Sequence, residues 1–76
     1  MSLGNYCREF RLSCQATLSD LATNNNEPER LIKSISAFEH GRSTNYKYLQ
    51  FYIALAYERG NEIDFTIGLM ETLHNG

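Results

Sequence analysis

The stretch from Glu27 to Ser43, EPERLIKSISAFEHGRS, decides how this chain reads. Pro28 lacks an amide hydrogen, so it fits only the first turn of a helix, where that hydrogen has no partner in any case. Asn26 and Glu29 have the three-residue spacing of a capping pair. Leu31 or Ile32, then Ile35 and Phe38, recur at helical intervals, and Gly41 can take the positive φ that closes a helix after His40. The pattern predicts one helix starting near Glu27 and buried along one side. Its other side carries Arg30, Lys33, Ser34 and Ala37, and the function turns on what that side meets.

Working outward toward the N-terminus, Leu3, Tyr6, Cys7, Phe10 and Cys14 fall three or four residues apart with polar residues between them, the pattern of an amphipathic first helix. Gln15 and Ala16 end it. Thr17 and Asp20 form a capping-box signature for a short second helix carrying Leu18, Leu21 and Ala22, and the run Asn24, Asn25, Asn26 reads as a turn.

Toward the C-terminus, the polar residues Arg42, Ser43, Thr44 and Asn45 make a connection to a fourth helix, Tyr46 to Arg59, stopped by Gly60 and Asn61. Its apolar residues run almost all round. Tyr46, Leu49, Ile53, Ala56 and Tyr57 are expected to face the core, and Tyr48, Phe51, Tyr52 and Leu55 to populate other faces, which suggests a second covered surface. Asp64 is the expected N-cap of a fifth helix burying Phe65, Leu69, Met70 and Leu73, with His74 in a tail. Gly68 costs that helix about 1 kcal/mol, so it leans on tertiary contacts. There is no strand pattern and no internal repeat.

Seventy-six residues allow a single domain, residues 1–76, near the lower limit for a core held without disulfides or metal. Dimerisation would therefore help its stability. The net charge of −2 argues weakly against nucleic acid, but its distribution matters more. Residues 1–27 carry −1 (Arg8 and Arg11 against Glu9, Asp20 and Glu27), and residues 28–57 carry +2 (Arg30, Lys33, Arg42 and Lys47 against Glu29 and Glu39). Residues 58–76 carry −3 (Arg59 against Glu58, Glu62, Asp64 and Glu71).

Cys7 and Cys14, two helical turns apart, stand about 10 Å from each other on one helix and beyond disulfide reach, so both are expected to be free thiols. Cys7 reads as a core residue and Cys14 as half-exposed. Two cysteines with His40 and His74 match no zinc-ligand spacing, and no metal or cofactor is expected. Arg8 and Arg11 interrupt any leader-like apolar run, and no stretch approaches the ~20 apolar residues of a membrane span. A soluble cytoplasmic protein is the expectation.

Taken in order, Leu3-Gly4, Arg8-Glu9-Phe10-Arg11, Thr17 with Leu21-Ala22, Ile35-Ser36-Ala37-Phe38-Glu39-His40-Gly41 and Ile53-Ala54-Leu55-Ala56 resemble the blocks of the lambda-repressor/Cro-like helix-turn-helix family. The blocks cover roughly the first sixty residues, and order and spacing carry the resemblance rather than any one block. The resemblance implies an all-α, compact five-helix lambda-repressor-like domain whose second and third helices form a helix-turn-helix. It also implies that Arg11 pairs with Glu39, a two-pronged contact whose loss from a buried site costs about 3 to 5 kcal/mol.

The chain departs from the family pattern where DNA would lie. About three extra residues fall between Leu21-Ala22 and Ile35, within Asn24 to Arg30. The positions that usually read bases hold Leu31, Ile32 and Lys33, and Leu18 stands where a phosphate-contacting glutamine is common. Either a longer third helix enters the groove one turn earlier, presenting Arg30, Lys33 and Asn25 or Asn26, or the face no longer binds DNA.

On the first alternative the chain is a sequence-specific DNA-binding transcriptional regulator, a small phage- or accessory-type repressor. Asn26, Arg30, Lys33, Ser34 and Ala37 then line the groove-facing side, and Arg42, Ser43, Asn45 and Lys47 touch phosphates of double-stranded DNA. A homodimer reading two half-sites would pair through Tyr48, Phe51 and Tyr52 or through the last helix. On the second it is a protein-binding module on the same scaffold, modulating another regulator. No enzyme is expected, because no nucleophile stands beside a base and no glycine loop cradles a phosphate. No small-molecule ligand is expected either.

Overall fold

The computed structural model describes residues 2–23 and 26–75. Asn24 and Asn25, part of the expected turn, lie outside the described residues. Among those described there are five α-helices, one 3-10 turn and no strand: α1 (Leu3–Ser13), α2 (Leu18–Ala22), α3 (Pro28–Glu39), the 3-10 turn (Tyr46–Tyr48), α4 (Leu49–Glu58) and α5 (Glu62–Asn75).

Local chemistry explains most of the boundaries. Ser2 caps α1, its Oγ accepting from the Asn5 amide at 3.1 Å. Thr17 and Asp20 make a full capping box at α2: the Asp20 amide donates to Thr17 Oγ1 at 3.0 Å and the Thr17 amide donates to the Asp20 carboxylate at 2.8 Å. Pro28 takes the first turn of α3. Three helices stop in the same way, with one residue at positive φ and the next amide reaching back to close the last turn. The closing bonds are Ala16 to Arg11 O at 3.1 Å, Arg42 to Ala37 O at 2.8 Å and Asn61 to Ala56 O at 2.8 Å. Gly41 and Gly60 supply the positive φ for α3 and α4, but at α1 it is Gln15, with φ 57°.

The core joins all five helices. Cys7, Ile35, Phe38, Tyr48, Tyr52, Ala56, Phe65 and Leu69 form its main cluster, and Cys14, Ala16 and Leu55 a smaller one that Phe10 and Leu21 connect to the first. Each large apolar side chain so buried stabilises the fold by about 1.5–3 kcal/mol. Tilted ring pairs run through it: Phe10 and Phe65 lie 4.4 Å apart between centroids, and Phe38 lies 5.8 Å from Tyr48. The start of α1 presses on the end of α3, where a Cβ on Gly4 would run into the Phe38 carbonyl. Gly68 of α5 has a comparable reason, because the Tyr6 phenol lies over it and donates to Phe65 O at 2.8 Å. The radius of gyration, 11.6 Å, is close to the ~11 Å of a well-packed chain of this length.

Several sequence expectations are corrected. On α4 the buried side is Tyr52, Leu55 and Ala56, preceded by Tyr48, while Tyr46, Ile53 and Tyr57 are exposed. A helix apolar nearly all round does not select its inner face by spacing; a polar partner for the Tyr52 hydroxyl selects it here. Cys14 is buried, because α1 ends with it turned under Leu55 and Ala16. Glu27, not Asn26, is the N-cap of α3, and its side chain makes no capping bond. Helix α5 begins at Glu62, two residues before Asp64, and carries His74 in its last turn. Met70 and Leu73 are exposed, since Phe65 and Leu69 already fill the inward side of that helix. No helix among the described residues is long and apolar enough to cross a membrane.

Candidate nucleic-acid interface

Helix α3 sorts its residues by face. Ile35, Phe38 and Glu39 are buried, Leu31 packs against the core and Ile32 is half-buried. Arg30, Lys33, Ser34 and Ala37, at intervals of three and four, share the opposite side, with the two cations exposed and Ser34 and Ala37 half-buried. The aliphatic pair at the expected reading positions is thus half-buried, and the charged residues beside it are exposed. Arg30 lies in the first turn of α3, close to the helix N-terminus.

A groove of about 560 Å³ runs between the first half of α3 and the start of α4. It unites Asn26, Arg30 and Ser34 from one side with Lys47 from the other, and Gln50, Leu31 and Phe51 form the remainder of its wall with Tyr48 and Glu27. Four of the nine residues expected to touch DNA therefore share one concave surface. Lys33, Ala37, Arg42, Ser43 and Asn45 lie outside it.

Charge and hydrogen bonding across this region leave donors free. Among the described residues, Arg30 has one ion pair, to Glu27 at 3.2 Å and well exposed, whereas Lys33, Arg42 and Lys47 have none. The Lys47 ammonium stands 5.4 Å from the Tyr48 ring centroid, a cation-π contact that steadies it without neutralising it. Asn45 caps the 3-10 turn, accepting from the Lys47 amide at 3.1 Å, and Ser43 Oγ accepts from the Asn45 amide at 3.3 Å. Both roles use acceptors only, so the Asn45 amide hydrogens and the Ser43 hydroxyl proton remain available to an anion.

A buried polar network sets the position of α3. Arg11 Nε donates to Glu39 Oε2 at 2.9 Å and Nη2 to Oε1 at 3.0 Å, with both residues nearly inaccessible to solvent. Arg11 Nη1 also donates to Ala16 O at 2.9 Å, and the Tyr52 hydroxyl donates to Glu39 Oε2 at 2.5 Å. One guanidinium and one carboxylate thus connect α1, the turn into α2, the end of α3 and α4. The hydrogen bonds that Arg11 donates to the Glu39 carboxylate hold the Arg11 pKa above its ordinary value despite burial. Burial, then the bond to Glu39, raises the Tyr52 phenol, so it stays a donor. Burial pushes the Cys7 thiol up to about 12, with the Glu39 charge adding to it, which leaves that thiol unreactive.

The pairing proposed through Tyr48, Phe51 and Tyr52 does not match these positions. Tyr52 has no exposed surface and Tyr48 is buried, both inside the protomer core, and Phe51 is half-buried against the groove. Glu27, Gln50, the role of Tyr52 as a donor to Glu39 and the Ala16 carbonyl are what sequence reasoning missed. The i, i+3 spacing of Glu27 and Arg30 was a visible signal for the first; the other three depend on how helices far apart in sequence meet. Comparison with protein-family models, with curated proteins and with solved structures finds no match to this chain.

Proposed function

We propose that this chain is a sequence-specific DNA-binding regulator in which α2 and α3 act as a lambda-repressor-like helix-turn-helix. Helix α3 is the recognition element on this reading: Arg30 and Lys33 reach base edges with Asn26, Ser34 and Ala37 beside them, and Arg42, Ser43, Asn45 and Lys47 hold phosphates. The observation that carries it is the grouping of Arg30, Ser34 and Asn26 with Lys47 along one groove, beside exposed cations that have no carboxylate partner. In an acidic chain, cations left unpaired on one side favour an anionic partner over simple solvation. A two-fold pair reading two half-sites would use a surface other than Tyr48 and Tyr52.

Gel retardation of mixed-sequence double-stranded DNA across a salt series tests the reading. Retardation is expected near about 50 mM salt and should be lost toward about 200 mM, as counterion release requires. Changing Arg42 or Lys47 to alanine should lower the salt slope by about one each, and changing Arg30 should relax sequence preference at one position. If the wild type retards nothing at the lower salt, the chain is better read as a protein-binding module, a reading that the apolar part of the groove, Leu31 and Phe51, also favours.

A further inference from the structure

Helix α5 presents a second organised surface on its solvent side. Ile63, Ile67 and Met70 are 71%, 52% and 64% exposed, although all three are large and apolar. Their spacing of four and then three residues, continued by His74 four residues on, is the a/d seam of a two-helix pairing: Ile63 at d, Ile67 at a, Met70 at d and His74 at a. Phe65, Leu69 and Thr72 occupy the opposite side of the same helix and face the core or lie half-buried, so the seam points outward. Scattered apolar residues on a surface are ordinary; a continuous seam along one helix marks an interaction face.

The flanking charges identify the occupant. Both e positions are carboxylates, Asp64 and Glu71; the g positions are Thr66 and Leu73, and α5 carries no lysine or arginine. In an antiparallel pairing e faces e, so a second copy would set each Asp64 against the other copy's Glu71. In a parallel pairing e faces g, and Thr66 and Leu73 offer those carboxylates no cation. Asp64 and Glu71 stand seven residues apart, two helical turns, so both lie on one flank of the seam and both are exposed.

We infer that the outer face of α5 docks a cationic amphipathic helix of a partner protein, one whose apolar seam is flanked by lysine or arginine. Ile63, Ile67 and Met70 supply the buried strip, and Asp64 and Glu71 select the sign of the partner. No residue of the α3 groove belongs to this face, so DNA contact by the groove is tested apart from it. A chain arranged in this way has exposed cations at Lys33 of α3 and at Lys47, and an acidic, partly apolar surface at α5.

The test uses a synthetic amphipathic peptide with leucine at a and d and lysine at e and g, and its counterpart with glutamate at e and g. Calorimetric titration into the whole chain should give saturable binding of the lysine peptide and at least tenfold weaker binding of the glutamate peptide. Ile67→Ser, and separately Asp64→Asn with Glu71→Gln, should each weaken the lysine peptide about tenfold. Ile53→Ser, an exposed apolar position on α4, should leave it unchanged. All these positions are exposed, so circular dichroism should show each variant folded. Failure of the lysine peptide to bind, equal binding of both peptides, or indifference to Ile67→Ser overturns the inference. So does a dimer of the protein alone in sedimentation equilibrium that Ile67→Ser dissolves, since the seam would then belong to a second copy.

Discussion

Glu39 Oε2 accepts two hydrogen bonds, one from Arg11 Nε and one from the Tyr52 hydroxyl, while Oε1 accepts from Arg11 Nη2. Both carboxylate oxygens are thus engaged in a place water scarcely reaches, and no buried side-chain polar atom among the described residues lacks a partner. The network fastens the end of α3 to α1 and α4, which holds its Arg30 and Lys33 face in a fixed direction. Burial makes the arrangement intolerant of losing one member.

Arg11→Met leaves the Glu39 carboxylate buried beside an apolar stem. The expected loss is about 3–5 kcal/mol, and the melting temperature should fall by well over 10 °C for a domain of this size. Arg8→Met, at a half-buried position on the same helix whose ion pair with Glu9 is long and solvent-screened, should change stability by no more than about 0.5 kcal/mol. Thermal unfolding followed by circular dichroism checks both. A small shift for Arg11→Met would mean that Glu39 finds another partner.

Tyr52→Phe removes one donor from Oε2 but leaves both bonds from Arg11. Hydrogen bonds to charged groups contribute about 1.5–3 kcal/mol, so this variant should lose about that amount, less than Arg11→Met. Urea midpoints compared at one pH give the ranking. Equal losses for the two variants would mean that the network fails as a unit.

Stability should decline on the alkaline side. The Cys7 thiol, raised to about 12, and the phenols of Tyr6 and Tyr52 all have folded pKa values above their unfolded ones. Each is an acid favoured in its protonated form by the fold, so its contribution is complete below the unfolded pKa and is lost as pH rises toward the folded one. Above about pH 8.5 the unfolded chain releases its thiol proton first, and unfolding free energy should then fall by up to about 1.4 kcal/mol per pH unit for each such group. Cys7→Ala should flatten the first part of that decline, between about pH 8.5 and 10, in denaturant titrations.

Gln15→Gly should stabilise the fold. Gln15 holds φ at 57°, a conformation that costs an L-residue about 1–2 kcal/mol, and its exposed side chain makes no hydrogen bond with the described residues. The greater freedom of an unfolded glycine offsets part of this, leaving a gain of about 0.5–1 kcal/mol and a rise of a few degrees in melting temperature. Gln15→Val should move the other way, because a β-branched side chain tolerates positive φ least.

Sequence alone determined which segments are helical and where most of them stop. Capping at Thr17 and Asp20, the first-turn place of Pro28 and the stops at Gly41 and Gly60 are local chemistry, settled within four or five residues of chain. Local pattern also identified Ile35, Phe38, Phe65 and Leu69 as core and Arg30 and Lys33 as an outward face. Tertiary structure decided the inner face of α4, the burial of Cys14, the exposure of Met70 and Leu73, and the meeting of Lys47 with Arg30 across one groove. The physical reason is the same in each case. A helix apolar on several sides has several burial solutions of similar free energy, and the choice falls to partners distant in sequence: Glu39 for the Tyr52 hydroxyl, Tyr6 over Gly68, and the end of α3 against Gly4.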